Sequence, residues 1–293
     1  MREHYLEFLK RADLPKDAHD YLLNCFNTLV PTDENDIKDI IDYIYSHDCS
    51  VPSTEKMREA LAEKSNIHLY TVNFVVLVCA SKRMLSDFRK KGIDDEIFWD
   101  TILDLKYKLF ECKTVKGIWG NFVEHWYDIF FKCNIVKLGR LEFERLSYPD
   151  ELPEITFEGV AINHGDTVYS VHIPSCGKFS KELRDDSYKR AKEFFKDEVG
   201  EKTMVLFCES WLMNPDNLKI FPESMNINEF QKEFYVFEKH TDLKYGDCWR
   251  VFGKDYDGNP DSLPQDTTMQ KCIVNWLKSG NNMAYGFGVR INK

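Results

Sequence analysis

The stretch that most constrains this chain is 168–195, VYSVHIPSCGKFSKELRDDSYKRAKEFF. Val168, Val171 and Ile173 follow a strand pattern, and the turn Pro174-Ser175-Cys176-Gly177-Lys178 comes next. A long amphipathic helix follows at once, with Ser180 as its expected N-cap. A strand that ends in a tight glycine turn and feeds a helix N-terminus creates an anion site. The first helical N–H groups have no partner within the helix, and the helix dipole favours negative charge there. If the chain binds a ligand, its phosphates are expected at this turn. With a single glycine, the same segment also suits an ordinary strand-to-helix turn in which Gly177 only supplies a positive φ.

The rest of the chain divides by pattern. Up to about residue 117 it reads as helices. Ile37, Ile40, Ile41 and Ile44 recur at the helical period after Thr32 or Asp33 as cap. Phe98, Ile102, Leu105 and Leu109 do the same, a helix opens at Ser53-Thr54, and another covers 69–90 and closes at Gly92. After Lys116-Gly117 the pattern changes, which predicts domains at 1–117 and 118–293. The aromatic run Trp119, Phe122, Trp126, Tyr127, Phe130 and Phe131 has near-helical spacing and reads as a helix, expected at the interface between them. Residues 136–145, VKLGRLEFER, alternate as a two-faced strand. Further strands are expected at 168–173, 204–208, 234–238, 248–252 and 283–291, short helices at 218–221 and 228–232, and a helix at 267–278 capped by Asp266. The expected class is α+β: an all-helical N-terminal domain, then a mixed, mostly antiparallel sheet flanked by helices.

Composition narrows the function. At 293 residues, 43% hydrophobic and 14% aromatic, the chain has ample material for packed cores. A net charge of −10 gives no attraction to nucleic acid or anionic lipid, so neither is an expected partner. The opening MREHYLEFLKRADLPKD is charged and amphipathic, unlike a secretory signal, and the apolar run 74–80 is too short to span a bilayer. The nine cysteines are scattered and never in CxxC, which predicts reduced, mostly buried thiols and a cytoplasmic setting. Zinc spacings and a P-loop are absent from the sequence, and no metal is expected. Residues 255–261 cluster carboxylates around Gly258 but lack the EF-hand spacing, so they read as a surface loop.

The segments LGRLEFE (138–144), VHIPSCGKFS (171–180), VLFCESWLM (205–213), NINEFQKEF (226–234) and GNNMAYGFGVRI (280–291) make the C-terminal half resemble the GNAT-like C-terminal domain of bacterial acyltransferase-type proteins. In these, as here, a helical domain precedes the GNAT-like part. The resemblance implies central strands that splay apart to admit acyl-CoA, and transfer of the acyl group to an amine or a similar nucleophile. It makes Ser175, Cys176, Gly177, Lys178, Phe179 and Ser180 the pyrophosphate loop of acetyl-CoA or another acyl-CoA. The usual loop reads Gln/Arg-x-x-Gly-x-Gly/Ala. This one has one glycine, no leading Gln or Arg, and a bulky Phe179 at the approach.

For proton removal from the acceptor, His172 and Glu209 are the candidate bases. His172 shares a strand face with Ser170, and Arg140 and Glu142 join that face if 138–145 pairs antiparallel with it. The plain alternative is a structural histidine bonded to a neighbouring strand. Glu209 sits at the carboxyl end of a central strand, where α/β sheets place ligands, with Trp211 as a wall of the acceptor pocket. Arg140, Glu142 and Trp211 are thus expected to bind a small-molecule acceptor. Cys208 is a covalent acyl-carrier candidate, with core packing as the alternative. A tyrosine is expected to return the proton to the CoA thiolate. The reading from a different class is a non-catalytic GNAT-like module with a degenerate loop, whose helical domain docks a protein partner or a metabolite. A cleft plugged by Phe179 or Trp211 is its signature.

Overall fold

The computed structural model describes residues 1–293, the side chain of Thr32 apart. The chain folds as two units, Met1–Lys137 and Leu138–Lys293.

The first unit is helical: α1 (Arg2–Ala12), α2 (Lys16–His47), α3 (Pro52–Ser65), α4 (Leu69–Lys90), α5 (Asp95–Ile102) and α6 (Asp104–Lys116). A 3-10 turn at Glu124–Tyr127 and the short α7 (Asp128–Phe131) follow. The helix expected to begin at Thr32 or Asp33 is the second half of α2. Pro31 lies inside α2, and Asp33 leaves helical geometry at φ −131° and ψ 25°. A proline lacks the N–H and crowds the preceding turn, so the helix bends there instead of ending. Thr32 as a cap lies outside the described residues.

Helix α4 is buried from Thr71 through Ser81 without a polar stripe. By length and composition it is apolar enough to cross a membrane, beyond what the run 74–80 suggested. Its burial among the other helices is that of a core helix.

The division falls later than 117/118, for a physical reason. The aromatic segment that follows Gly117 is irregular to Val123, then a 3-10 turn and the short α7, instead of one helix, because its rings pack individually into the first unit. Trp119 meets Phe110 at 5.8 Å, Phe122 meets Tyr70 at 6.3 Å and Phe131 meets Tyr45 at 5.3 Å between ring centroids. Polar groups add to this. The buried Arg58 pairs with Glu124 at 3.3 Å, the Tyr127 hydroxyl donates to Asp104 at 2.9 Å, and Asp128 accepts from the Ser50 hydroxyl and the Cys49 N–H. Burial pushes the Asp104 carboxyl above the ordinary range.

β1 (Ile135–Leu138) crosses the division, and β2 (Leu141–Ser147) follows it. The expected single strand 136–145 is therefore broken. Gly139 has φ +74°, and a Cβ there would stand 2.9 Å from the Ser187 hydroxyl. That hydroxyl accepts the N–H of Arg140 at 2.8 Å, so the turn needs both the glycine conformation and the space.

The second unit continues with β3 (Ile155–Phe157), β4 (Val160–Ile162), β5 (Thr167–His172), α8 (Lys181–Phe194), α9 (Lys196–Val199) and β6 (Met204–Ser210). After a 3-10 turn at Trp211–Met213 come α10 (Asn217–Ile220), α11 (Asn226–Gln231), β7 (Tyr235–Asp242), α12 (Cys248–Phe252), α13 (Thr268–Lys278) and β8 (Met283–Asn292). Two expectations change. Residues 248–252 form a helix, with Cys248 and Phe252 buried in one apolar cluster with Ile273 and Val274. Their i and i+4 positions meet one face, which period-two reading misses. Helix α13 is capped by Thr267 and not Asp266. Thr267 accepts from Gln270 N–H, and the Gln270 side chain accepts from Thr267 N–H, a capping box.

The sheet of the second unit runs β2-β5-β6-β8-β7. β5 and β6 are parallel, and the other neighbours are antiparallel. The registers place Val168, Ser170 and His172 on one face with Val205, Phe207 and Glu209, and with Tyr285, Phe287 and Val289 of β8. The apolar part of this face packs under the β3–β4 hairpin, around Phe207, Val289, Ile155 and Val160. On the other face α8 lies close: Asn292 donates to the Tyr188 carbonyl at 2.9 Å, and Arg290 sits 4.4 Å from the Tyr188 ring centre.

Candidate active site at the ends of the parallel strands

The pairing of β5 with β6 is short. It consists of Tyr169↔Leu206 and Ser170↔Phe207. β5 stays paired with β2 to His172, and β6 stays paired with β8 to Ser210. Each central strand thus follows its outer neighbour, and the two part toward their carboxyl ends. At the fork the Val171 carbonyl is met by the Cys208 thiol, 3.6 Å away, in place of a backbone N–H. Burial raises the Cys208 thiol far above its ordinary range, and the side chain is fully buried. A neutral, enclosed thiol is a poor nucleophile, so core packing holds for Cys208 and the acyl-carrier role does not.

Polar side chains gather at the carboxyl end of the face that carries Glu209. His172 is opposite Glu142 in register, as Ser170 is opposite Glu144. The His172 Nε2 and a Glu144 carboxylate oxygen are 2.8 Å apart, with both side chains largely enclosed. Glu142 is buried beside them. Glu209 keeps its side chain in contact with solvent, yet enough protein surrounds its carboxyl that desolvation raises its pKa. Glu151 adds to the rise, while His240 and His172 oppose it. His240 lies across β8: its ring is 5.0 Å from that of Phe287, the register partner of Glu209, and its Nδ1 is 3.3 Å from the Tyr285 hydroxyl.

The structure therefore brings His172, Glu142 and Glu209 onto one face, as their positions in the sequence suggest. Glu144, His240 and Tyr285 join them unannounced. Glu144 was legible as a member of the alternating face of β2, but its partnership depends on register. His240 and Tyr285 come from strands far along the chain.

Arg140 and Trp211 lie elsewhere. Arg140 belongs to the turn before β2, is 8% exposed, and donates from Nε to the Lys178 carbonyl at 2.8 Å. That bond ties it to the loop. Trp211 is in the 3-10 turn after β6 and packs against the apolar cluster around Phe221 and Met283.

The loop 174–180 is irregular throughout. Cys176 N–H turns back to the Pro174 carbonyl at 2.8 Å, and Gly177 has φ +98°. Phe179 does not stand over the loop. Its ring packs on Phe230 at 5.1 Å, with the guanidinium carbons of Arg140 and Arg184 at 5.3 and 4.9 Å. Ser180 takes the N-cap position with extended backbone, yet its side chain accepts no capping hydrogen bond. The carboxylate of Glu182 accepts from its own N–H and from the Ser180 hydroxyl, which hold its pKa below the ordinary value. An anion of the protein itself thus stands at the start of α8. Among the described residues no group of His, Cys, Asp and Glu side chains could hold a metal ion.

The sequence matches two family descriptions in tandem: an N-acyltransferase N-terminal domain over residues 4–133 and a GNAT-like C-terminal domain over 135–290. The second spans more than half of the chain, and the protein belongs to this family of acyltransferase-type proteins with a GNAT-like C-terminal domain. No curated protein matches the sequence. Solved structures with the same fold include an acyltransferase in complex with decanoyl-CoA and teicoplanin. It is 18% identical with a TM-score of 0.72, over 98% of this chain and 87% of that one. A mutant acyltransferase in complex with octanoyl-CoA is 19% identical with a TM-score of 0.70, over 99% of this chain and 88% of that one.

Proposed function

We propose that the protein transfers an acyl group from acyl-CoA to the amine of a small-molecule acceptor. The observation that carries this reading is the His172–Glu144 pair beside the fork of β5 and β6, on a chain whose family is that of acyltransferases. The pantetheine arm runs into the fork along the edges of β5 and β6, and the diphosphate sits on the loop 175–180. Structures of the same fold that hold decanoyl-CoA and octanoyl-CoA support an acyl-CoA donor, and their chains make medium-length acyl groups the first to test beside acetyl.

An amine reaches the site as an ammonium ion. Glu142, Glu144 and Glu209 give that end of the sheet a negative character that favours a cation. His172, held at Nε2 beside Glu144, is the candidate for taking the ammonium proton. The freed nitrogen attacks the thioester carbonyl, the C–S bond breaks, and the CoA thiolate leaves and takes up the second proton that the attacking nitrogen gives away. Glu144 holds the ring and balances the imidazolium that forms. Glu209, with its raised pKa, is the second candidate for the proton transfer. The nine free cysteines support a reducing, cytoplasmic setting.

The binding-module reading draws on Glu182, a carboxylate at the place where the diphosphate would lie. One experiment separates the two. The protein is mixed with decanoyl-CoA or acetyl-CoA and a panel of primary amines, and acylated products are sought by mass spectrometry, with thermal melting followed in parallel. Acylated amine and a raised melting temperature are the expected results. No stabilisation at millimolar CoA would sink the proposal and favour the module, and stabilisation without turnover over the whole panel would overturn transfer to an amine while CoA binding stands.

A further inference from the structure

We propose that Arg140 and Arg184 are positioning residues that turn the loop 175–180 into an anion cradle, replacing what a second glycine supplies in the usual loop. The proposal rests on the acyl-CoA reading above. The two guanidinium groups seize consecutive carbonyls of the loop. Arg140 Nε donates to the Lys178 carbonyl at 2.8 Å, and Arg184 Nη1 donates to the Phe179 carbonyl at 2.9 Å. Both arginines are buried, Arg184 completely, so both carbonyls are drawn toward the body of the protein.

A trans peptide is planar, and its N–H points opposite to its C=O. The N–H of Phe179 shares a peptide with the Lys178 carbonyl, and the N–H of Ser180 shares one with the Phe179 carbonyl. Drawing both carbonyls inward therefore turns both N–H groups outward. In a regular extended chain successive peptides alternate, so two in a row on one side require an enforced bend. Such a pair makes a concave donor site for anions, and here it runs directly into the first turn of α8. Among the described residues neither N–H donates to a backbone carbonyl.

The clamp is built with more support than a surface turn needs. Arg184 donates from Nε and Nη2 to one Glu233 oxygen, at 3.0 and 2.6 Å, and the Tyr188 hydroxyl donates to the other at 2.8 Å. A buried ion pair adds little net stability compared with apolar packing, because desolvation offsets the attraction. What it supplies is direction, and the direction here is that of Nη1 toward the Phe179 carbonyl. The Phe179 ring lies against both guanidinium groups and fixes the second carbonyl from the other side. A phenylalanine at the place of a small residue thus has its side chain on the protein side of the loop, away from the ligand.

The test compares two ligands that differ at the diphosphate. Decanoyl-CoA and decanoyl-pantetheine are titrated into wild type and Arg140→Lys by calorimetry, with the melting temperature as a control. Lysine keeps the charge but not the flat group that donates to the carbonyl beside the ring. The expected result is an approximately tenfold loss of affinity for decanoyl-CoA, the size of a lost charge-assisted hydrogen bond. Affinity for decanoyl-pantetheine is expected to stay unchanged. Glu233→Gln, which weakens the grip on Arg184, is the second variant and serves alone if Arg140→Lys does not fold. Equal loss for both ligands, or none for either, overturns the clamp while the acyl-CoA reading stands. Wild type that does not bind decanoyl-CoA overturns both.

Discussion

His172 Nε2 lies 2.8 Å from a carboxylate oxygen of Glu144, although its register partner on β2 is Glu142. The imidazole thus reaches diagonally across the strand pair to the less buried of two carboxylates. A carboxylate beside the imidazole orients the ring and stabilises the imidazolium formed when it takes a proton. His172→Ala is expected to lower kcat by about 100-fold or more while leaving CoA affinity near wild type. Glu144→Gln is expected to lower kcat less, since the ring keeps a partner but loses the opposing charge. Steady-state rates at saturating acyl-CoA check both, and a His172→Ala enzyme with full kcat would transfer the role to Glu209.

Glu182 competes for the donor groups at the start of α8. Its carboxyl is held in the ionised form by its own N–H first, and by Ser180 second. Removing the charge while keeping the shape frees that end of the helix for a ligand anion. Glu182→Gln is expected to bind CoA about threefold more tightly, the scale of one exposed charge at a helix terminus. Calorimetric titration reads this directly, and weaker binding by the variant would make Glu182 a helper of the loop and not a competitor.

His4 makes the first unit sensitive to acid. Burial, followed by the nearby Lys82, lowers its pKa from 6.5 to about 4. The side chain is buried against Trp99, with Nε2 at 2.8 Å from the Ser81 hydroxyl. The unfolded chain binds this proton below pH 6.5, and the folded chain does so only near pH 4. Stability is therefore complete above about pH 6.5 and is lost as pH falls through the window down to about 4, by up to about 3 kcal/mol. Melting followed across this window is expected to show the slope in wild type and a shallower one in His4→Gln.

Gly286 is required by contact and not by conformation. A Cβ there would stand 2.2 Å from the Met213 carbonyl oxygen, where the turn after β6 crosses β8. Backbone on both sides leaves nothing flexible to give way. Gly286→Ala is expected to destabilise the second unit by roughly 1–3 kcal/mol, seen as a lower denaturant midpoint. An unchanged midpoint would mean that the turn moves freely from the sheet.

Cys208 separates direct transfer from a covalent carrier. Its thiol is buried, driven to the neutral form, and spent on the Val171 carbonyl. Cys208→Ser retains a donor for that carbonyl and is expected to keep most of the acyl-transfer rate. Loss of turnover with the fold intact would restore the carrier role.

Much of this was legible from local pattern. The helical first unit, the strand–turn–helix of β5 and α8, the strand β6 and the closing strand β8 each follow from periodicity and turn residues. Those signals act within a few residues and need no partner. The placing of His172 with Glu142 followed from alternation and one assumed pairing, and that pairing exists. Errors came where a distant group decides. Residues 248–252 became a helix because α13 offers a face for Cys248 and Phe252. The aromatic run after Gly117 joined the first unit because Arg58, Asp104, Tyr70 and Tyr45 await it there.

The site follows the same division. The sequence by itself determined which elements exist, that a glycine turn feeds a helix N-terminus, and that His172 and Glu209 end the two central strands. Those properties are set by chain periodicity and by the geometry of neighbouring residues. Only the tertiary structure decided that Glu144 is the partner of His172, that Arg140 holds a carbonyl of the loop, and that Phe179 packs on Phe230 between the two arginines. Each of these depends on strand register or on a buried partner from another element. No local rule encodes that information, because the free energy that selects it arises only when the elements pack.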